Sequence, residues 1–419
     1  MLRRSRSASD INLPRPLRFE AQNPVAQVYL KKGEEKRLAR GHPWIYRDEV
    51  DTGRTPLADL APGQVVDVFS HRGRWLGNGY ANPKSLICVR VVSRNREYPF
   101  CASLIVHRLK VALGLRERWF DRPYYRAVFG ESDGLPGLVI DRYGDVCVIQ
   151  ITTAGMEVRR EEIVGAVEKV LRPAAILLRC DQDVRSLEGL EKFTETALGV
   201  VSAEIELNEH NTRFRVPLIG GQKTGWYYDQ RDNRARLLPA VRDLRVLDLF
   251  SYLGAWGVQA AVHGAEHVLC VDSASQAVDR IRANAKVNRV DERVEAVRMD
   301  AFDALEQLRA DNRRFDVVIL DPPAFIKHKK DTRQGLDAYR RLNQEALRVL
   351  TRDGLLMTCS CSFRLSREAL MDTAIRAGRH LGRQLSLLYE GGQALDHPVQ
   401  PMMPETRYLK ALMFRVLPR

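Results

Sequence analysis

The sequence predicts an α/β protein of several domains whose last part is a parallel sheet covered by helices. Its 419 residues are enough for two to three domains at roughly 150 residues each. Hydrophobic residues make up 45% and charged residues 28%, the balance of a folded globular chain. From about residue 240, apolar strands alternate with amphipathic helices, which is typical of a parallel sheet with helices on both faces. Composition excludes a disordered or collagen-like chain.

The N-terminal third predicts a tail followed by a small β-barrel. Residues 1–24 are polar, basic and rich in proline, so we predict a flexible basic tail. Residues 25–100 then show closely spaced short strands separated by glycine-containing turns, a pattern that favours a barrel. The predicted strands are 27–30, 65–69, 75–80 and 86–92.

Residues 101–235 predict a mixed α+β domain. A strand, a turn and a second strand are expected over 138–151, with the turn at 142–145. Helices are predicted over 103–120 and 157–171. Further strands are expected at 174–179, 203–207 and 213–216.

Residues 236–419 predict the parallel sheet. The expected strands are 245–250, 267–271, 295–298, 315–320 and 354–358. The expected helices are 255–263, 275–288, 301–310, 332–351 and 366–379. No helix separates the last two strands, 383–389 and 408–417, so they should form an antiparallel hairpin at the sheet edge.

Charge and cysteine content indicate the partner and the compartment. The net charge is +13, and residues 1–120, with 22 Lys+Arg and 11 Asp+Glu, hold most of the excess. A basic module on a nearly neutral body predicts a polyanionic partner such as nucleic acid. Seven scattered cysteines without a CxxC pair argue against disulfides and zinc, and nine histidines show no metal-ligand spacing. We therefore expect a cytoplasmic protein without a metal, a secretory signal or a membrane span.

Polar clusters follow four predicted strands, at the edge where open α/β sheets bind ligands. The first cluster contains Asp248, Phe250, Ser251 and Gly254, and its glycine would let the backbone approach a ligand. It lacks the GxGxxG and P-loop patterns, which argues against a nicotinamide oxidoreductase. Asp272 ends the second strand, where an acidic residue can accept both hydroxyls of a ribose or cap the next helix.

The third and fourth clusters suit a flat base. Asp300 and Ala301 end the third strand, where the carboxylate can accept from an adenine amino group or cap a helix. The fourth cluster is Asp321-Pro322-Pro323-Ala324-Phe325, in which two prolines fix the backbone. Such a rigid loop can present Asp321 to a base, or it can be a structural turn.

These four clusters together resemble the S-adenosylmethionine site of class I methyltransferases. Further segments resemble the PUA-domain-containing 23S rRNA (cytosine-C5) methyltransferase family across residues 25–419. Those segments are Lys31–Gly33, Gly41–Tyr46, Arg126–Asp145, Gly221–Gly225, Asp229–Asn233, Asp396–Pro398 and Pro404–Lys410.

The resemblance implies an N-terminal PUA β-barrel, an α+β central domain and a Rossmann-like methyltransferase domain. It implies S-adenosylmethionine as cofactor, large-subunit rRNA as partner and transfer of a methyl group to carbon 5 of a cytosine. A homodimer is also kept open. The implied cofactor-binding residues are Asp229, Gln230, Arg231, Asp248, Phe250, Ser251, Gly254, Asp272, Asp300, Ala301 and Asp321.

Methylation at carbon 5 requires a nucleophile, because this carbon becomes reactive only after a thiolate adds to carbon 6. In the family the nucleophile resides in the segment that matches Thr358–Ser362. Cys361 is favoured because it lies beyond the apolar run, and Cys359 is the alternate; both could instead be buried strand residues. Ala324 stands where related enzymes carry a second cysteine, which leaves Asp321 as a candidate base.

Basic residues of the barrel and of one loop are predicted to bind RNA. Phosphate contacts are expected from the barrel, with Trp44 or Tyr46 as a stacking face, although Trp44 also fits the core. The loop after Pro323 could hold RNA over the site or be a solvated charged loop. The predicted RNA-binding residues are Lys31, Lys32, Arg37, Arg40, Arg72, Lys327 and Lys329.

Two other functions remain open. A methyltransferase acting on a base nitrogen of guanine or adenine also uses the Asp-Pro-Pro motif and needs no cysteine. A non-catalytic RNA-binding factor for ribosome assembly would keep the fold without the chemistry.

Overall fold

The computed structural model describes residues 25–418, which form two compact units. One unit ends at Val201 and the other begins at Ser202. The predicted basic tail, residues 1–24, lies outside the described residues. Within residues 25–418, no helix has both the length and the apolar character needed to cross a membrane.

The N-terminal unit begins with a five-stranded sheet in the order β1-β3-β4-β5-β2. In β3, the alternate residues Val66 and Val68 are fully buried, as the period of a half-buried strand requires. The sequence predicted four of these strands and missed the three-residue β2. The elements are β1 (Ala26–Tyr29), α1 (Glu35–Ala39), β2 (Trp44–Tyr46), β3 (Val65–Phe69), β4 (Trp75–Ala81) and β5 (Ile87–Ser93).

The second half of this unit is another five-stranded sheet, in the order β10-β9-β8-β7-β6. The predicted strand-turn-strand over residues 138–151 is present, whereas β6 and β10 were not predicted. The strands are β6 (Tyr124–Phe129), β7 (Leu138–Tyr143), β8 (Val146–Ile151), β9 (Ala175–Cys180) and β10 (Phe193–Leu198). The helices are α2 (Ala102–Arg116), α3 (Ala154–Glu157), α4 (Arg160–Leu171) and α5 (Val184–Leu187).

A buried polar network joins the two sheets of the N-terminal unit. The Glu188 carboxylate accepts from Asn82 Nδ2 at 2.8 Å and pairs with Arg90 at 2.9 Å. Tyr80 donates from its hydroxyl to the carbonyl of Pro136 at 2.8 Å. Since these groups are buried, their partners must be present for the polar atoms to be tolerated there.

The C-terminal unit begins earlier than the boundary at residue 236 that the sequence suggested. Its first elements are the hairpin strands β11 (Glu204–Glu209) and β12 (Thr212–Pro217) and the helix α6 (Arg231–Leu237). The hairpin is fixed to this unit because the Arg215 amide donates to Asn284 Oδ1 at 2.8 Å. Residues 202–235 therefore belong to the C-terminal unit and not to the same unit as residues 101–201.

A seven-stranded sheet forms the centre of this unit, in the order β15-β14-β13-β16-β17-β19-β18. The strands are β13 (Arg245–Leu249), β14 (His267–Asp272), β15 (Val294–Arg298), β16 (Phe315–Leu320), β17 (Leu350–Ser360), β18 (Arg383–Gly391) and β19 (Lys410–Pro418). The helices are α7 (Gly257–Val262), α8 (Ser275–Val287), α9 (Ala301–Ala310), α10 (Thr332–Val349) and α11 (Arg367–His380).

The pairing of the strands matches the predicted topology. Strands β13 to β17 pair in parallel, and β19 runs antiparallel to both β17 and β18. Because β14 and β16 flank β13 on opposite sides, the strand order reverses there and leaves a crevice at the carboxyl ends. Fully buried residues such as Leu247, Val318 and Leu356 fill the core.

Replacing Glu188 with alanine should destabilise the N-terminal unit. The substitution leaves the Arg90 guanidinium buried without its carboxylate, which costs about 3–5 kcal/mol. Denaturant unfolding of the purified protein measures the change. Glu191→Ala is the matched control, because Glu191 is exposed and its loss should cost no more than about 0.5 kcal/mol. Equal stability of the two variants would contradict a structural role for the network.

Candidate active site

A cavity of about 320 Å³ opens at the carboxyl ends of β13, β14 and β16, at the reversal of strand order. This volume is in the range of small-molecule sites. Its wall is part aromatic and part charged, and it combines residues from seven segments of the C-terminal unit. The lining residues are Gln222, Lys223, Trp226, Tyr227, Asp229, Gln230, Arg234, Phe250, Ser251, Tyr252, Ala255, Trp256, Val271, Asp272, Ser273, Met299, Asp300, Ala301, Asp321, Pro322, Pro323, Ala324, Cys361 and Leu409.

The loop after β13 turns sharply into the cavity wall. Phe250, Tyr252 and Gly254 all have positive φ, of 65°, 52° and 74°. Only glycine adopts this region freely, and a Cβ at Gly254 would lie 2.7 Å from Val258 Cγ2. The turn brings Phe250 and Ser251 to the cavity, whereas Gly254 is buried behind it.

Asp248 shapes this loop from below and does not line the cavity, contrary to its expected role as a cofactor contact. The carboxylate is fully buried, and Oδ2 accepts from the Gly257 amide at 3.0 Å. Burial raises the pKa of Asp248 to about 8. The prediction placed this aspartate correctly at a strand end but could not tell which way its side chain points.

Asp272 and Asp300 line the cavity and also serve as caps or loop anchors. Asp272 accepts from the Tyr252 amide at 2.9 Å and from the Ala274 amide at 3.0 Å, so one carboxylate joins the loops after β13 and β14. Asp300 Oδ1 accepts from the Phe302 amide at 2.8 Å at the start of α9. The structural alternative is therefore present at both positions, and the position of both residues on the cavity wall leaves the predicted cofactor contact open as well.

The Asp321 carboxylate is fixed by donors from two other segments. Its Oδ1 accepts from Gln230 Nε2 at 2.8 Å, and its Oδ2 accepts from Trp256 Nε1 at 3.0 Å. Burial raises the pKa of Asp321, and the negative charge of Asp229 raises it further. The prolines that follow line the cavity next to it.

The segment from Gln222 to Arg234 forms the facing wall. Lys223 Nζ lies 3.4 Å from Asp229 Oδ2 and 4.2 Å from the centre of the Tyr227 ring. The Tyr408 hydroxyl also donates to Asp229 Oδ2. The predicted residues Asp229 and Gln230 line the cavity, as expected.

Arg231, in contrast, points away from the cavity into a buried cluster around Glu209. The Glu209 carboxylate pairs with Arg234 at 2.7 Å and with Arg231 at 3.4 Å, and it accepts from Trp226 Nε1 at 3.0 Å. Burial alone would raise the pKa of Glu209, but the two guanidinium groups lower it to about 2. The cluster holds the facing wall against the unit.

Several lining residues were missed by sequence reasoning. Lys223 could have been found, because it lies in the glycine-flanked segment Gly221–Gly225 that carried part of the resemblance. The aromatic lining residues Tyr227, Tyr252 and Trp256 gave no local signal, since aromatic side chains occur equally in cores and in sites.

The two cysteines of the predicted motif occupy different environments. Cys361 follows the last residue of β17 and lines the cavity, whereas Cys359 lies inside β17 and is fully buried. The Tyr339 hydroxyl bonds to Ser360 Oγ at 2.7 Å and to Ser362 Oγ at 3.0 Å, which fixes the backbone on both sides of Cys361. Burial raises the pKa of the Cys361 thiol, and the positive charge of Lys223 opposes this.

The predicted RNA-binding residues differ in the exposure of their side chains and in the contacts that these make within the protein. Lys32, Arg40 and Arg72 are exposed, and Lys31 is exposed but donates from Nζ to the Asp48 carbonyl at 2.7 Å. Lys327 and Lys329 are exposed on the loop that follows Pro323.

Arg37, Tyr46 and Trp44 are engaged within the N-terminal unit. Arg37 pairs with Glu49 at 2.7 Å and stacks on the Tyr46 ring at 4.6 Å. Trp44 donates to Glu131 at 2.9 Å, which favours its structural interpretation. Among residues 25–418, no group of His, Cys, Asp and Glu side chains could hold a metal ion.

Comparisons with known proteins show similarity in the N-terminal and the C-terminal part of the chain. A family model for a PUA-like domain matches residues 28–94, and a model named Conserved hypothetical protein 95 matches residues 234–365. Ribosomal RNA large subunit methyltransferase I of Klebsiella pneumoniae subsp. pneumoniae is 35% identical over 396 residues, 93% of this chain and 98% of the relative. The protein of the same name from Alteromonas mediterranea is 35% identical over 397 residues, 93% of this chain and 99% of the relative.

Solved structures share the fold over most of the chain. A chain from Streptococcus mutans assigned as a SAM-dependent methyltransferase matches with a TM-score of 0.79 at 22% identity and covers 93% of this chain and 100% of its own length. A structure assigned as a methyltransferase complexed with SAH matches with the same TM-score, identity and coverage. Together with the PUA-like match, they confirm the predicted fold class.

Glu209→Gln should remove a pH-dependent part of the stability. Because the pKa of Glu209 is lowered from 4.5 to about 2, its ionised form stabilises the folded state above pH 4.5. This contribution, of order 3 kcal/mol, is lost as the pH falls from about 4.5 towards 2. Denaturant unfolding at stepped pH should show a shallower acid decline in the variant than in the unmodified protein. Parallel declines would contradict the prediction.

Proposed function

The chain belongs to the ribosomal RNA large subunit methyltransferase I family, and we propose that it methylates carbon 5 of a cytosine in 23S rRNA with S-adenosylmethionine as the donor. The observation that carries the proposal is the position of Cys361, which lines the same cavity as Asp272 and Asp321. A thiol in that place suits carbon 5 chemistry, because a base-nitrogen methyltransferase needs no such group.

The side chains that line the cavity suit the chemical groups of the cofactor. The Asp272 carboxylate suits the ribose hydroxyls, and Phe250, Asp300 and Ala301 suit an adenine ring and its amino group. Asp229 and Asp321 supply negative charge that complements a sulfonium group. When bound, S-adenosylmethionine supplies the methyl group that an electron-rich carbon 5 accepts.

Cys361 makes carbon 5 electron-rich. Its thiolate adds to carbon 6 of the cytosine, and the electron pair of the carbon 5–carbon 6 double bond moves to carbon 5. After methylation, a base takes the carbon 5 proton, the double bond re-forms, and the sulfur leaves with the electron pair of its bond to carbon 6. Asp321 is our candidate base, since burial raises its pKa and therefore its affinity for a proton.

The RNA is held chiefly through its phosphates in this proposal. Exposed cations of the PUA-like domain, among them Lys32, Arg40 and Arg72, bind the backbone without reading sequence. Lys327 and Lys329 contact the RNA that reaches the cavity, because they lie on the loop that continues from the Asp321-Pro322-Pro323 segment.

Cys361→Ala should abolish methyl transfer, while Cys359→Ala should retain it. Loss of the nucleophile is expected to lower the rate about 10³-fold or more, and Cys359 is buried outside the cavity. Incorporation of labelled methyl groups into 23S rRNA that lacks the modification measures both variants. An active Cys361→Ala protein would refute covalent catalysis.

The identity of the product tests the base. Mass spectrometry of nucleosides from the methylated rRNA should show 5-methylcytidine. A nucleoside methylated on a guanine or adenine nitrogen would replace the proposal with the base-nitrogen alternative. Binding of S-adenosylhomocysteine without any methylated product would favour the non-catalytic alternative.

Asp272→Ala should weaken binding of S-adenosylhomocysteine. The variant loses a charged acceptor for the ribose and the link between two loops, and we expect about 10- to 100-fold weaker binding by titration calorimetry. Asp279→Ala is the control, since this aspartate is largely exposed on α8 and does not line the cavity. Equal affinities of the two variants would exclude Asp272 from the cofactor site.

A further inference from the structure

Three consecutive residues where the chain enters β19 contact the wall of the cavity or the loops that form it. The Tyr408 hydroxyl donates to Asp229 Oδ2, and Leu409 forms part of the cavity wall. Lys410 does not line the cavity, and its Nζ donates to the Ser362 carbonyl at 2.6 Å and to the Tyr408 carbonyl at 2.9 Å. This segment therefore meets the loop that carries Cys361.

Lys410 is an unusual cation for its location. Only 5% of the residue is exposed, and the charged groups that act on it among the described residues are Cys361 and Arg367, neither of which is a carboxylate. Two neutral carbonyl oxygens are its hydrogen-bond partners. A buried ammonium without a counter-ion is costly, so an anion that forms next to it would be strongly favoured.

We propose that Lys410 is a positioning residue that holds the Cys361 loop through the Ser362 carbonyl and stabilises the thiolate of Cys361 with its charge. This inference rests on the proposed role of Cys361 as nucleophile. A thiol in apolar surroundings is inert as a nucleophile, and a nearby cation is a general means of activating it.

The electrostatics of the pair agree with this geometry. Burial lowers the pKa of Lys410 to about 8, and a negative charge on Cys361 opposes that decrease. Burial raises the pKa of Cys361. A negative charge on Cys361 therefore favours the ammonium form of Lys410, and because coupling is reciprocal the ammonium favours the thiolate.

Other ionisable groups also act on this pair. Lys223 favours the thiolate of Cys361, while Asp321 and Asp229 disfavour it. The negative charge of the Cys361 thiolate also acts on Tyr227 and Tyr339. Arg367 disfavours the ammonium form of Lys410. Lys223 has 41% of its side chain exposed and is paired with Asp229, so water and that carboxylate screen its effect. Lys410 differs because it is buried and held by two carbonyl groups.

Three substitutions separate charge from hydrogen bonding. Lys410→Arg keeps the positive charge, Lys410→Gln keeps an N–H donor without charge, and Lys410→Met keeps neither. The readout is the pH dependence of Cys361 alkylation by iodoacetamide in the full-length protein. Reaction at Cys361 must be followed by mass spectrometry of its peptide, since Cys101 is also partly exposed.

The Gln and Met variants should alkylate Cys361 about tenfold more slowly near neutral pH, with the apparent thiol pKa raised by about one unit. The Arg variant should stay close to the unmodified protein. Unchanged affinity for S-adenosylhomocysteine verifies that each variant is folded. A folded Gln variant with the alkylation profile of the unmodified protein would overturn the charge effect, and so would an Arg variant as slow as Met.

A second measurement avoids Lys410 variants, in case these do not fold. In protein labelled with ¹³C-lysine, the Lys410 signal is titrated in the unmodified chain and in Cys361→Asp, which places a negative charge at position 361 throughout the titration. Because coupling is reciprocal, this charge should raise the Lys410 pKa by about one unit. An unchanged pKa would overturn the proposal. Neither readout requires methyl transfer, so failure of the nucleophile assignment is detected separately by the activity of Cys361→Ala.

Discussion

The carboxylate of Asp321 joins three of the segments that enclose the cavity. Gln230 of the segment before α6 and Trp256 of the loop after β13 both donate to it. These segments are far apart in the chain and meet only because β13 and β16 are neighbours in the sheet. The bonds are made in a partly buried position, where an unpaired polar group would be costly. The position of this one side chain therefore contributes to the shape of the cavity.

Charge inside the cavity is arranged around the proposed nucleophile. Asp229 and Asp321 disfavour a thiolate at Cys361, and Lys223 favours one. The two carboxylates also suit a positively charged donor. The same charges that would favour binding of the sulfonium group therefore make the proposed nucleophile less reactive. In our proposal Lys410 offsets this effect by stabilising the Cys361 thiolate. Because Lys410 does not line the cavity, it does not contact the positively charged donor.

The backbone decides which of two cysteines lines the cavity. Cys359 and Cys361 would lie on one face of a continuing strand, but β17 ends at Ser360. The Tyr339 hydroxyl forms hydrogen bonds with the hydroxyls of Ser360 and Ser362. These bonds fix the direction in which the backbone leaves the sheet after β17. One cysteine thus stays in the core, and the other faces the cavity.

The sequence by itself determined the alternating strands and helices from Arg245 to Ser360, the acidic strand ends and the preference for Cys361, because periodicity and motif spacing are local properties of the chain. Only the tertiary structure decided that residues 202–235 join the C-terminal unit, that Arg231 turns to Glu209, and that Asp248 is buried while Asp272 lines the cavity. Asp248 and Asp272 both lie at the end of a strand, yet their side chains differ in direction. That direction depends on which distant donors pack nearby, and no local pattern encodes those donors.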